Sequence, residues 1–272
     1  MCTVGSVFDP EQDRLLVFKQ CDLSAPTTFL EPEVRRGEGG LRYVMFEREG
    51  SSGPWAGFNS AGLLVVAADA YLDAQSNPPF TPQGDPLEAY AHLLTNCSSA
   101  QEAADLMREV YEELNAPDMI LVADQEHALL LECSPSHGVE VMEGDRGFLA
   151  CTNHFRMLPG AVSEEENPSS YRRLERAQEL LDGLPSLSGV EALLHDQEDG
   201  ETELSICRVA QEEGEFFTQA SVLFCARGDG TIDCLYLLNG NPLTAQFTLW
   251  RDVFGTSERF PDAGFERLDE ED

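Results

Sequence analysis

Short runs of apolar residues recur along the chain and predict buried β-strands. The runs lie at residues 15–18, 62–68, 119–123, 128–133, 148–152, 221–226 and 234–238. They are continuous and do not alternate with polar residues, which is typical of strands that are covered on both faces. The pattern therefore predicts sheets that are packed on both sides.

Two blocks of helical periodicity separate groups of these strands. The periodic segments are residues 86–94, 99–114, 169–184 and 187–194. Ser98 or Ser99 can cap the second of these segments, and Glu102 stands at the spacing of a capping box. Each block therefore predicts a pair of helices.

The order of these elements predicts an α+β fold and not an alternating βαβ fold. Two mainly antiparallel sheets between two helical layers would bury both faces of each sheet. Since no internal repeat and no long linker is found, we expect one domain over residues 1–272, with a short acidic end at 265–272.

The charge of the chain is strongly negative, with 50 Asp+Glu against 17 Lys+Arg and a net charge of −33. Nucleic acid is excluded as a partner, because binding phosphates needs a basic surface. The acids are spread along the chain, and Lys19 is the only lysine. This composition favours a protein that works in molar salt, where screening over about 3 Å removes self-repulsion.

The location expected from the sequence is cytoplasmic, in a cell interior of high salt. No apolar run reaches the roughly 18 residues of a transmembrane helix. The first residues also lack the basic and apolar regions of a signal peptide. We therefore expect no membrane partner, while a homo-oligomer stays open.

Cysteine use gives no indication of a metal site. The eight cysteines show no CxxC pair and no spacing shared with histidines, so zinc is not expected. Most stand in apolar runs and predict small buried side chains in a reducing compartment. Cys2 differs, because removal of Met1 would leave it with a free α-amine beside its thiol, a nucleophile and a base on one residue.

The other candidate residues are ordinary when taken singly. Asp22 reads as a turn or cap residue near the end of an apolar run, and Asn59 in "GFNSAGL" as part of a hairpin turn. Asn153 and His154 follow a predicted buried strand, where His154 favours packing or capping. The "SSYRRLERA" segment opens a helix whose arginines would normally be solvated.

Their order along the chain is more informative. It runs Cys2, basic-x-x-Asp22, "GFNSAGL", "DMILVADQEHALLLECSP", "CTNHF" and "SSYRR", followed by "ELSICR" and "TQASVLFCARGDGTIDCLYLLNGNP". This series resembles the cysteine N-terminal-nucleophile (Ntn) hydrolases: choloylglycine hydrolase, penicillin V acylase and, most closely, acyl-coenzyme A:6-aminopenicillanate acyltransferase. The resemblance covers nearly the whole chain and implies a four-layer αββα fold.

The resemblance also implies catalytic roles. Cys2 matches the nucleophile, with its own α-amine as base. Asp22 matches the aspartate that orients the nucleophile, and Asn153 the asparagine that stabilises the oxyanion. Arg173, less securely than Arg172, matches an arginine behind the nucleophile that favours thiolate, and which of the two faces the site stays open.

Two positions depart from the family pattern. Lys19 stands where many relatives have an arginine, and we expect it to pair with Asp22 or to contact a substrate carboxylate. Asp69 stands where bile-salt-hydrolase relatives have asparagine. Its backbone N–H is expected to complete the oxyanion hole, although its side chain would bring negative charge close to the anion. Asn59 is also expected to contact the oxyanion or the substrate.

The resemblance implies an amidohydrolase that cleaves a linear amide, non-peptide or small and peptide-like, through an acyl-enzyme on Cys2. The expected partner is a small-molecule amide, and neither metal nor organic cofactor is required. Three alternatives stay open: an acyltransferase to an amine, a dipeptidase of the related cysteine class, and a non-catalytic binding or structural member of the fold.

Overall fold

The computed structural model describes residues 1–73, 85–114, 116–144, 147–210 and 212–270. The strands within these ranges are β1 (Cys2–Asp9), β2 (Arg14–Leu23), β3 (Val34–Arg36), β4 (Arg42–Glu47), β5 (Pro54–Asn59), β6 (Leu64–Asp69), β7 (Asp118–Ala123), β8 (Ala128–Ser134), β9 (Gly138–Glu143), β10 (Phe148–Cys151), β11 (Phe217–Arg227), β12 (Ile232–Leu238), β13 (Phe247–Arg251) and β14 (Glu258–Ala263). The helices are α1 (Pro86–Asn96), α2 (Ala100–Leu114), α3 (Pro168–Gly183) and α4 (Leu187–Leu194), and a 3₁₀ turn covers Phe265–Leu268.

The strands form two antiparallel sheets. The first has the order β10-β1-β2-β11-β12-β13-β14, and the second has the order β3-β4-β5-β6-β7-β8-β9. The N-terminal strand β1 therefore lies inside the first sheet, between β10 and β2. Gly5 of β1 permits close packing here, since a Cβ would stand 2.6 Å from the Leu149 carbonyl and from the Phe18 ring.

Apolar side chains from both sheets share one core. Phe46 and Phe58 of the second sheet pack on Phe224 of the first, with ring centroids 5.6 and 4.9 Å apart. Helices α1 and α2 cover the outer face of the second sheet, while α3 and α4 cover that of the first. This is the four-layer α+β arrangement that the pattern predicts, and that expectation is confirmed.

The apolar runs predict seven of the strands, and the periodic segments predict all four helices of the described ranges. Strand β14 escapes prediction because four of its six residues are exposed, and β9 because two exposed glutamates interrupt its apolar residues. Strand β1 escapes it because small polar residues interrupt its apolar positions. None of the helices in the described ranges is long and apolar enough to cross a membrane.

Candidate active site

Strand register places Cys2 at the centre of a group of polar side chains. In the β1–β2 pair, Cys2 stands directly opposite Cys21. On the other side of β1, Val4 pairs with Cys151, so Asn153 lies beyond the end of β10 and opposite Cys2. The Cys2 backbone N–H donates to Asn153 Oδ1 at 3.0 Å. The pairing of strands distant in sequence therefore brings two of the predicted residues together.

Met1 is buried beside Cys2. Its ammonium donates to the Asp22 carbonyl at 2.7 Å, and its own carbonyl accepts the Asp22 N–H at 2.9 Å. The Met1 sulfur lies 3.8 Å from guanidinium nitrogens of both Arg173 and Arg208. Removal of Met1 would thus free the Cys2 nitrogen and vacate a space bordered by two arginines.

Asn153 links the nucleophile strand to the second sheet. Its Nδ2 donates to the Asp69 carbonyl at 2.7 Å, and its Oδ1 also accepts from Arg173 Nη2 at 2.8 Å. The backbone is held as well, because the Asn153 carbonyl accepts from the Tyr71 N–H at 2.8 Å. One Nδ2 hydrogen is left over, since an amide nitrogen carries two.

Arg173, and not Arg172, is the helical arginine that faces the site. Its guanidinium is fully buried and donates to the Cys2 carbonyl at 2.6 Å and to Thr3 Oγ1 at 2.8 Å. Arg172 points outward and pairs with Asp199 and Glu175. Burial and the neighbouring Arg208 lower the pKa of Arg173 to about 9, so it carries its charge at neutral pH.

Asp22 has a different partner from the one expected. Its buried carboxylate accepts from Thr218 Oγ1 at 2.8 Å and lies 3.4 Å from Arg208 Nε. Arg208 also donates to Ser169 of α3. Sequence reasoning missed Arg208, although "ELSICR" was among the motifs. The segment is irregular here and does not form a strand, so its arginine can turn inward between β2 and α3.

Lys19 lies on the opposite face of β2 from Asp22 and does not pair with it. Its Nζ donates to the carbonyls of Ala67, at 2.5 Å, and Trp55, at 3.1 Å, and stands 5.2 Å from the Trp55 ring centre. The expectation of a Lys19–Asp22 pair is therefore wrong. The reason is the two-residue period of a strand, which puts positions 19 and 22 on opposite faces.

A cavity of about 210 Å³ opens above Cys2. Its described lining includes Lys19, Cys21, Arg48, Asp69 and Asp118. Burial and the nearby Asp69 raise the pKa of Asp118 well above its usual range, and its carboxyl accepts a hydrogen bond from the Tyr90 hydroxyl. The wall therefore carries groups of both signs, with Lys19 and Arg48 beside Asp69, Asp85 and Asp118.

The thiol of Cys2 has a strongly shifted pKa. A hydrogen bond from the Cys21 thiol, together with the positive charges of Lys19 and the N-terminus, lowers the pKa of Cys2 to about 5, against the opposing effect of burial. The same contact raises the pKa of Cys21 well above its usual range. Cys2 is thus a thiolate at neutral pH and Cys21 a thiol.

Two of the other candidates do not join this group. Asn59 is buried elsewhere, where its Nδ2 donates to the Leu94 and Cys97 carbonyls and its Oδ1 accepts from the β5–β6 turn. These bonds fasten the hairpin to the end of α1, so we propose no substrate contact for Asn59. His154 stacks on Tyr171 at 3.8 Å and bonds to Ser170, which is the expected packing role.

A family model matches residues 24–230 of the chain, most of its length, and is described as acyl-coenzyme A:6-aminopenicillanic acid acyltransferase. The chain belongs to this acyltransferase family. The match begins after Cys2 and Asp22, so it does not include the expected nucleophile. No curated protein sequence matches the chain significantly.

Solved structures share the fold of this acyltransferase family member. A variant of the conjugated bile acid hydrolase from Clostridium perfringens is 12% identical, with a TM-score of 0.57 and 97% of each chain covered. The Caenorhabditis elegans orthologue of the N-acylethanolamine-hydrolyzing acid amidase is 15% identical, with a TM-score of 0.52, 82% of this chain and 92% of that chain covered. The fold is therefore that of the Ntn hydrolases.

Proposed function

We propose that this protein is an amidohydrolase that cleaves a linear carbon–nitrogen amide through a thioester on Cys2. The observation that supports this most is the surrounding of Cys2. Its thiol has a lowered pKa and opens onto a cavity, its backbone N–H donates to Asn153, and Arg173 lies behind it. Within the described residues no histidine hydrogen-bonds to Cys2, so its base has to be a different group.

The base in this proposal is the α-amine that Cys2 gains when Met1 is removed. Such an amine has an ordinary pKa near 8, which suits proton transfer at neutral pH. The Cys2 nitrogen already lies 3.0 Å from Asn153 Oδ1, which would hold the amine next to its own thiol. The buried Arg173 adds a fixed positive charge on the far side of the strand.

The reaction has two halves. The Cys2 sulfur bonds to the amide carbon, the C–N bond breaks, and the leaving amine takes a proton from the Cys2 α-ammonium. Water then attacks the thioester while the α-amine accepts its proton, the C–S bond breaks, and the acid is released with the Cys2 thiolate and the α-ammonium restored. In the acyltransferase alternative, a second amine takes the place of water.

The oxyanion of each tetrahedral intermediate would lie beside Asn153. One Nδ2 hydrogen is held by the Asp69 carbonyl, which fixes the amide plane and leaves the second hydrogen for the oxyanion. The backbone N–H of Asp69 stays the second proposed donor. The Asp69 carboxylate is exposed and lines the cavity, so it can contact the substrate away from the reacting carbon.

The cavity wall supports a substrate with an anionic group. Arg48 is half-buried and lines the cavity, and its guanidinium has no hydrogen-bond acceptor within the described residues. Lys19 uses two of its three donors on backbone carbonyls and keeps the third. A carboxylate would satisfy both, so an amide that carries a carboxylate fits this wall better than a neutral one.

The proposal is tested with a panel of acyl amides, with and without a carboxylate, in high salt. We expect turnover by the wild type, loss of turnover in Cys2→Ala, and an intact mass that lacks Met1. Arg48→Gln should raise KM about tenfold for the carboxylate amides, the effect of one charged hydrogen bond, and leave the neutral amides unchanged.

The outcomes separate the alternatives. Active protein that retains Met1 would refute the amine as base. Faster product formation with added amine would favour the acyltransferase, and turnover of dipeptides alone would favour the dipeptidase. Binding without turnover by chain that lacks Met1 would favour the non-catalytic member of the fold.

A further inference from the structure

Cys2 and Cys21 form a close pair of cysteines across two strands. Met1 and Asp22 exchange both of their backbone hydrogen bonds, so the next pair, Cys2 and Cys21, is a non-hydrogen-bonded pair. In such pairs the Cα atoms lie about 4.5 Å apart and the side chains approach most closely. This separation lies within the range in which disulfides form.

Both thiols are buried in the protein and line the same cavity. Because the two residues stand directly opposite each other on β1 and β2 and belong to the same core cluster, their side chains lie on the same face of the sheet. A thiolate with an adjacent thiol, open to a cavity that admits small molecules, has the two features of a reversible redox site: a reactive sulfur and a resolving one.

We propose that Cys2 and Cys21 are an oxidative modification site that forms a reversible disulfide when the protein meets a peroxide. The Cys2 thiolate attacks one oxygen of hydrogen peroxide, which breaks the O–O bond, leaves a sulfenic acid on Cys2 and releases hydroxide. The Cys21 sulfur then attacks the Cys2 sulfur, the S–O bond breaks, and water leaves with the Cys21 proton. Two thiols are oxidised by two electrons, and the peroxide is reduced to water.

Strand register also selects Cys21 over the other nearby cysteine. Cys151 stands opposite Val4 and is therefore diagonal to Cys2 across β1 and β10. Diagonal neighbours are about 7–8 Å apart, beyond the reach of a disulfide without backbone movement. A dithiol reductant would reverse the Cys2–Cys21 bond, so the pair would protect Cys2 from irreversible over-oxidation.

The consequence for activity rests on the proposed function, because a disulfide would occupy the nucleophile. The formation of the Cys2–Cys21 disulfide does not rest on the proposed function, since the disulfide can be observed without any substrate. Trypsin cleaves after Arg14, Lys19 and Arg35, and thus separates the two cysteines into one peptide that ends at residue 14 and another of residues 20–35, each with a single cysteine.

The test treats the whole protein with hydrogen peroxide in high salt and digests it without reductant. We expect the two peptides to be cross-linked, the intact mass to fall by two hydrogen atoms, and dithiothreitol to reverse both changes. In Cys21→Ser we expect no cross-link, and Cys2 should instead be oxidised to forms that dithiothreitol does not reduce. Cys151→Ala is the matched control and should form the cross-link as the wild type does.

Two results would overturn the proposal: a Cys2 sulfinic acid together with a free Cys21 thiol in the wild type, or a cross-link from Cys2 to the Cys151 peptide. If the cross-link forms but no amide is ever cleaved, the modification site stands and the proposed hydrolase fails.

Discussion

Replacing Asn153 by aspartate tests the proposed oxyanion donor with almost no change of shape. The aspartate keeps an oxygen for the Cys2 N–H and for Arg173, at 3.0 and 2.8 Å, and loses both Nδ2 hydrogens. Because Arg173 would pair with the new carboxylate, the carboxylate stays charged. A donor beside the oxyanion is thereby exchanged for a negative charge.

The expected loss of turnover follows from that exchange. Removal of one oxyanion donor costs about 2.7–4 kcal/mol, or roughly 10²–10³ in kcat. The added negative charge acts in the same direction, so about 10³ is the expected loss. Some stability is lost as well, because the Asp69 carbonyl loses the donor that stands 2.7 Å away, at a cost of about 1–3 kcal/mol.

Asn59→Asp is the matched control for this substitution. Asn59 is likewise buried, and its Nδ2 donates to two backbone carbonyls, but it stands away from the cavity. Both variants should melt at a lower temperature, and only the Asn153 variant should lose kcat per folded molecule. The folded fraction is measured by near-ultraviolet circular dichroism, and reactive Cys2 is titrated with iodoacetamide. A fall of less than about tenfold in kcat for Asn153→Asp would refute the oxyanion role.

Three further changes probe the surroundings of Cys2. The rate at which iodoacetamide alkylates Cys2 should be low in acid and rise as pH increases through about 5, because the lowered pKa leaves Cys2 as thiolate above that pH. Cys21→Ala should move the midpoint of this pH profile upward, since it removes the contact that lowers the pKa most. An unchanged midpoint would contradict this cause. Lys19→Gln should also raise the midpoint, by less than Cys21→Ala does. If the midpoint of Lys19→Gln equals that of the wild type, Lys19 does not lower the pKa of Cys2. Arg208→Gln should lower the free energy of unfolding by about 3–5 kcal/mol in a denaturant titration, because it leaves a buried carboxylate unpaired. Arg172→Gln breaks only partly exposed ion pairs at the surface and should cost at most about 1 kcal/mol.

Much of the fold could be predicted because its signals are local. Continuous apolar runs and amphipathic periods depend on neighbouring residues, and they predict the helices and the central strands. Strands such as β9 and β14, each at one end of its sheet, are interrupted by charged residues and show no continuous apolar run. Their place in the sheet depends on the strand that they pair with, which no local pattern records.

In the candidate site, too, only the part with local sequence signals could be predicted. Cys2 and Asn153 could be selected from their order in the chain, but their meeting depends on the β1–β10 register, which is not local. The expected Lys19–Asp22 pair could have been rejected from the sequence, because alternation along β2 places the two side chains on opposite faces of the sheet. Arg208 could not be placed from its irregular segment, because its position depends on packing between β2 and α3.

The charges of this protein are divided between two environments that respond differently to salt. The surface carries most of the acids, and the expected molar salt would screen them over about 3 Å. Lys19, Arg173 and Arg208 are buried around Cys2 in a chain that has few basic residues, and buried charges are screened much less. Salt can therefore relieve the repulsion among surface acids while the positive field that favours the Cys2 thiolate stays in place. A strongly acidic surface and buried cations around Cys2 are compatible in one chain because most of the acids and these cations lie on opposite sides of the protein–water boundary.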